Sequence, residues 1–140
     1  VNSEQLALTG WGRTTPSVAS LVDISADDLT KTGALDRLDH SGRGVIARGM
    51  GRSYGDPAQN GGGTVVRLSH GEISINAAQD SVRVGGGVSL DQLLREIIPL
   101  GWFVPVTPGT RFVTVGGQLP LTSTGKTITS TVRSAATSNN

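Results

Sequence analysis

The chain has 140 residues, a formal net charge of +1, no cysteine and 20 glycines. That length suits one domain or part of a larger one, and glycine stands at about twice its usual ~7% share. The near-neutral balance argues against a nucleic-acid or membrane-surface partner, and without cysteine there are no disulfides, thiolate nucleophiles or Cys-held metals. No apolar run approaches the ~20 residues of a membrane-spanning helix, and no basic-then-apolar leader opens the chain, which leaves the compartment open.

Residues 1–20 show no clean period. Ser25-Ala26-Asp27-Asp28 reads as a helix start, with acidic side chains where the N-terminal dipole favours them. The helix it opens, Leu29 to Leu38, is weak because Gly33 interrupts it. Val45-Ile46-Ala47 reads as a short strand, and Thr64-Val65-Val66-Arg67-Leu68 as another. Ser81 to Gly85 alternates like a half-buried strand. Leu90, Leu93, Leu94, Ile97 and Ile98 then fall on one stripe of a helix, with Ser89 and Gln92 spaced as a capping box and Pro99 and Gly101 as stops. Trp102 to Val106 returns to extended chain. The element order predicts a mixed α/β (α+β) fold.

Two glycine-bearing stretches are candidate sites. Arg48-Gly49-Met50-Gly51-Arg52-Ser53-Tyr54-Gly55-Asp56 follows a strand directly, and such spacing can turn successive backbone N–H groups inward as a nest for phosphate oxygens. Arg48 and Arg52 would add charge, and Ser53 and Tyr54 hydroxyl donors. Gly116-Gly117, after Pro108-Gly109-Thr110-Arg111, offers a second backbone surface. On spacing alone, tight turns explain these glycines as readily as a phosphate does. The dinucleotide-binding fingerprint does not fit, because Gly51 is followed by glycine four residues on and no periodic helix begins there. His40 and His70 read as solvated loop histidines, and Asp27-Asp28 as helix-start charge rather than a catalytic pair. Gly125-Lys126-Thr127 lacks the earlier glycine of a P-loop, since Pro120 occupies that place. The residues point to no metal site and no catalytic side chain.

Arg48 to Asp56 followed by Ala58-Gln59-Asn60-Gly61-Gly62-Gly63 resembles the flavin loop of the vanillyl-alcohol-oxidase type (PCMH-type) FAD-binding domain. Leu8 to Ser20, Val88 to Leu94 and Val104 to Gly117 fit the same family in order, so the resemblance covers roughly residues 8–117. It implies FAD as cofactor, with Arg48, Gly49, Gly51, Arg52, Ser53, Tyr54, Gly55 and Gln59 lining it. Pro108, Gly109, Thr110, Thr114, Gly116 and Gly117 would form the opposite wall, and Trp11 and Gly12 would lie toward the substrate. Pro57 stands where relatives often carry asparagine, which puts one polar contact in doubt. The members matched best oxidise the ribose 2'-hydroxyl of a lipid-linked sugar, pass hydride to the flavin, and work with a separate reductase toward cell-wall arabinan. Another PCMH-type sugar or alditol oxidase, or a non-catalytic nucleotide-binding module, are the alternatives. The family places such proteins in the cytoplasm or at the cell envelope.

Residues 1–117 thus read as the N-terminal portion of an incomplete FAD-binding domain, and 118–140 as a tail foreign to it. Ten of those last 23 residues are Ser or Thr and none is acidic. Regrouping the codons that Thr124 to Thr129 permit allows His-Gly-Lys-Asn-His-His, the family's own segment. The tail therefore reads as an out-of-frame, unfolded stretch produced by a one-base loss near Gly116-Gly117, with true divergence as the alternative. By itself the chain is expected to bind FAD weakly or not at all and to turn over no substrate.

Overall fold

The computed structural model describes residues 3–69 and 71–118 and the backbone of 133–134. It divides into two compact units, Val1–Gly71 and Glu72–Asn140. His70 and most of the Ser/Thr-rich tail lie outside the described residues.

The first unit is a four-stranded sheet. Strands β1 (Ser3–Leu8) and β2 (Ser17–Ile24) pair antiparallel; β4 (Thr64–Leu68) pairs parallel with β2 on one side and with β3 (Val45–Ala47) on the other. The order is β1-β2-β4-β3. Neither β1 nor β2 is legible in the sequence, for opposite reasons. β1 is an edge strand with only Leu8 buried. β2 is covered on both faces: Ala19 and Leu21 pack with Leu8 and Val65, whereas Val22 and Ile24 pack with Leu38 and Val66. A strand buried on both sides loses the apolar–polar alternation that would reveal it.

Between β2 and β3 run two single-turn helices, α1 (Ala26–Thr30) and α2 (Ala34–Leu38). Ser25 caps α1, its Oγ accepting the Asp28 N–H at 3.0 Å. Hydrogen bonds from Lys31 and then Ser25 hold the Asp28 carboxyl below the usual carboxylate range. The break expected at Gly33 is present, with that residue in the left-handed region at φ 69°. Buried Thr64 donates its Oγ1 hydrogen to the Leu38 carbonyl at 2.8 Å, tying α2 to the central strand.

The second unit contains an antiparallel pair, β5 (Ile73–Asn76) and β6 (Ser81–Val84), followed by α3 (Leu90–Ile97). Both halves of the capping box form: Ser89 Oγ accepts the Gln92 N–H, and Gln92 Oε1 accepts the Ser89 N–H. The next orphan donors of the helix, Leu90 N–H and Asp91 N–H, find the carbonyls of Val113 and Arg111 at 2.8 and 3.0 Å. Leu90, Leu93 and Ile97 are buried with Val88 and Trp102. Ile98, expected on the same stripe, is 51% exposed. Ile98 still has α-helical backbone and lies about 100° round the helix from Ile97, at the edge of the stripe; the helix then tightens to a 3-10 turn over Ile98–Leu100 and ends at Gly101, φ 76°. Of the extended stretch expected over 102–106, only β7 (Trp102–Phe103) is a strand; its partner is β8 (Arg133–Ser134). A last turn of helix, α4 (Val115–Gln118), is hidden in the sequence by Gly116 and Gly117.

Candidate functional site

The glycine loop begins where β3 ends. The Arg48 N–H still belongs to the sheet, donating to the Val66 carbonyl at 2.8 Å. Beyond it the loop leaves the carboxyl end of a parallel strand, the side on which open α/β sheets bind ligands. Gly51 and Gly55 adopt φ 66° and 69°, a conformation that a side chain would strain. Among the described residues, no backbone N–H from Gly49 to Gly55 has an acceptor within the protein. Most of this loop is exposed, and unpaired amides around left-handed glycines are donors that an anion can use.

Arg48 supplies the charge beneath it. Its Nη1 donates to the Ala58 carbonyl at 2.8 Å and its Nη2 to the Thr9 carbonyl at 2.7 Å. A Cβ on Gly51 would collide with that guanidinium, so the cation lies directly against the loop backbone. Among the described residues it has no carboxylate partner. Burial, and secondarily the charge of Arg67, push its pKa below the ordinary arginine value, while the group stays cationic. Arg52 has no carboxylate partner either; its guanidinium lies 4.5 Å from the centre of the Trp11 ring. Tyr54 is 89% exposed.

Residues 9–14 are held against this loop. Gly10 packs so closely on the Gly55 carbonyl and Asp56 that a Cβ there has no room. Asp56 accepts the Thr14 hydroxyl at 2.9 Å through Oδ1 and 3.1 Å through Oδ2. Gln59 is buried; its Nε2 donates to Asp56 Oδ1 at 2.8 Å, and its Oε1 accepts the Ser17 hydroxyl at 2.8 Å. The following glycines serve packing. Gly61 leaves space for Ser17, whose Cβ would stand 3.0 Å from an added methyl, and Gly63 accommodates the Asn60 amide. Asn60, at φ 46°, donates through Nδ2 to the carbonyls of Gly44 and Thr64, both at 3.0 Å. Asn60→Asp removes both donors and faces a carboxylate with two carbonyls, and is expected to cost about 1–3 kcal/mol, read by urea denaturation.

Of the residues the sequence singled out, Trp11, Gly12, Arg48, Gly49, Gly51, Arg52, Ser53, Tyr54, Gly55 and Gln59 are brought together in the first unit. Within that set, Arg48 and Gln59 have their side chains committed to the protein's own groups. Pro108, Gly109, Thr110, Thr114, Gly116 and Gly117 belong to the second unit. There the Gly116 N–H donates to the Gly86 carbonyl at 2.9 Å and the Gly117 N–H to the Thr114 carbonyl at 3.1 Å. A Cβ on Gly116 would lie 3.0 Å from the Gly86 carbonyl oxygen. These two glycines therefore permit close backbone packing rather than offer free donors. Thr14, Ser17 and Asp56 are the contributors the sequence did not reveal; their pairing spans 42 positions, and no local period encodes it.

A shallow groove of about 450 Å³ lies elsewhere in the first unit, among Ser3, Val22, Asp28, Arg37 and His40. It shares no residue with the loop. Among the described residues, no three His, Asp or Glu side chains gather as a metal site requires, and no helix is long and apolar enough to cross a membrane.

The family model "FAD binding domain" matches residues 32–133, a stretch that includes the glycine loop. The chain belongs to the FAD-binding domain family. It is 49% identical over 121 residues to decaprenylphosphoryl-beta-D-ribose oxidase of Mycolicibacterium smegmatis, a match covering 85% of this chain and 26% of that protein. A shorter match, 57% identical over 32 residues, is to an uncharacterized Streptomyces coelicolor protein, covering 23% of this chain and 9% of the other. Among solved structures, two of cholesterol oxidase from Brevibacterium sterolicum superpose with a TM-score of 0.62, at 14% and 13% identity, over 86% of this chain and 24% of theirs. At that identity they show the fold alone, and it is the α/β fold expected of this family. The chain spans about a quarter of the length of the mycobacterial oxidase and of the cholesterol oxidases. FAD is the family's cofactor, and unpaired backbone amides such as those of Gly49 to Gly55 are a type of donor that a pyrophosphate can use.

Proposed function

We infer that the first unit holds the pyrophosphate of FAD, with the backbone amides of Gly49 to Gly55 as donors and Arg48 as the charge beneath them. The observation that carries this reading is the conjunction of those unpaired amides with a cation that has no carboxylate partner. When bound, the flavin accepts hydride and so supplies the redox chemistry. The chain's own residues bind and orient: the loop backbone fixes the diphosphate, and Arg52 and Trp11 border it on the side of residues 9–14. Pro108, Gly109, Thr110 and Thr114 are assigned to further contact with the cofactor, and Gly116 and Gly117, whose N–H groups are already bonded within the second unit, to close approach only.

The likeness to the mycobacterial oxidase supports an oxidoreductase acting on the ribose hydroxyl of a lipid-linked sugar, with a separate reductase partner and a place in cell-wall arabinan synthesis. Residues 118–140 are assigned to an out-of-frame reading that replaces the His-Gly-Lys segment; an intact flavoenzyme frame in the nucleotide sequence beyond codon 117 is the expected result. The 140-residue chain by itself is then inactive and binds FAD weakly.

Titration with ADP, FAD and riboflavin, followed by backbone amide NMR shifts, tests the assignment. The expected result is weak binding of ADP and FAD with comparable affinity, shifts that include Gly49–Gly55 with both, and none there with riboflavin, which lacks the diphosphate. Riboflavin binding as tightly as FAD, or no shift with ADP at millimolar concentration, overturns it.

A further inference from the structure

A carboxylate beside a diphosphate site is electrostatically costly, yet Asp56 stands at the end of the glycine loop. Its surroundings explain its presence. Both carboxylate oxygens accept the Thr14 hydroxyl, and Oδ1 also accepts the Gln59 amide. Gln59 is 5% exposed and is fixed from its other end by Ser17. The result is a closed chain of side-chain hydrogen bonds, Ser17–Gln59–Asp56–Thr14, that fastens residues 14–17 to the loop. Residues 9–13 are fastened beside it by the contact of Gly10 with the Gly55 carbonyl and by the Arg48–Thr9 hydrogen bond. Trp11 rides on this segment and meets Arg52. Freeing Thr14 from Asp56 therefore removes one of the fastenings that hold the Trp11 turn to the end of the glycine loop and loosens both.

We propose that Asp56 is a positioning residue, acting through Thr14 and Gln59, that locks the Trp11 turn onto the glycine loop and so preorganises the diphosphate cradle. This rests on the diphosphate reading above. Asp56 does not touch the cofactor; it holds in place the backbone that does. Its acceptor geometry is what matters, because two donors converge on it, and its negative charge is incidental. Both donors reach Oδ1, and an amide oxygen at that place has two lone pairs to accept them.

The test compares Asp56→Asn and Thr14→Ser, which keep the acceptor and the hydroxyl, with Asp56→Leu and Thr14→Val, which remove them. Two readouts are taken on the full chain. The first needs no ligand: acrylamide quenching of tryptophan fluorescence, which reports Trp11 (48% exposed) because Trp102 is buried at 7%. The second is the ADP dissociation constant from the Gly49–Gly55 amide shifts. Asp56→Leu and Thr14→Val are expected to raise the quenching constant about twofold and weaken ADP at least about fivefold. Asp56→Asn and Thr14→Ser should stay within about twofold of the parent in both. Thr14 is exposed, so Thr14→Val keeps the comparison alive if Asp56→Leu fails to fold. Unchanged quenching in Thr14→Val, or Asp56→Asn behaving like Asp56→Leu, overturns the proposal. Failure of the parent chain to bind ADP sinks the diphosphate reading instead, and the quenching arm still decides whether the lock exists.

Discussion

Gly10→Ala is expected to destabilise the first unit by about 2 kcal/mol, while Gly12→Ala, two residues on, leaves it within about 0.5 kcal/mol of the parent. The contrast comes from what a methyl group meets. At Gly10 it runs into the carbonyl of Gly55 and stands 2.8 Å from the Asp56 carboxylate, both backed by the loop. At Gly12 its nearest neighbour is the Thr14 methyl at 3.8 Å, an ordinary contact. Backbone atoms cannot rotate aside as a side-chain end can, so the two strands of chain must part. Urea denaturation followed by Trp11 fluorescence measures the difference. Equal stability of the two variants would show that residues 9–14 and the glycine loop are not pressed together as described.

Ile97→Ala is the counterpart in the second unit, with an expected loss of about 3 kcal/mol, against less than about 0.5 for Ile98→Ala. Ile97 is fully buried in the cluster with Leu93 and Trp102, where truncation leaves a hole that rigid neighbours fill only in part. Ile98 is half exposed at the start of the 3-10 turn and gives up little apolar contact. Thermal unfolding followed by Trp102 emission separates the two, because that indole lines the site of the lost side chain. Similar melting temperatures would place the adjacent isoleucines on one face, as the stripe in the sequence had suggested.

How far the sequence can be read follows from how local its signals are. Ser89, Gln92 and the leucine stripe of α3 sit within two turns of one another, and that helix was legible to its cap. β3, β4 and β6 carry short β-branched runs and were equally plain. β2 was not, because each face meets its own apolar cluster and no alternation survives. Gly116 and Gly117 disguised α4 by composition. The glycine loop itself was legible from its spacing beside a strand, and the resemblance to a flavin-binding family supplied the reading proposed for it. What spacing could not show is the work of the side chains around it. Arg48 was read as a cofactor contact, and its anchoring on the carbonyls of Thr9 and Ala58 could not be seen in the sequence. Gln59 looked like a ligand and is buried within a hydrogen-bonded chain. Asp56 drew no notice, because its partner Thr14 is remote in sequence.

The central position of β4 has a consequence for how the site comes into being. Thr64 is flanked by Ser20 on one side and Val45 on the other, and both rims of the glycine loop are stitched to this strand. The β1–β2 pair is local and can form as soon as it is synthesised, whereas docking of β4 joins distant stretches of chain, the slow kind of pairing. The anion cradle therefore does not exist in an excised peptide or in a partly assembled sheet; it arises at the step that inserts the last-made strand between two earlier ones. A diphosphate that recognises the finished loop thereby favours the assembled sheet, adding about 2.7 kcal/mol when present at a hundred times its dissociation constant. On the diphosphate reading proposed above, the cofactor would then act as a folding ligand for this sheet.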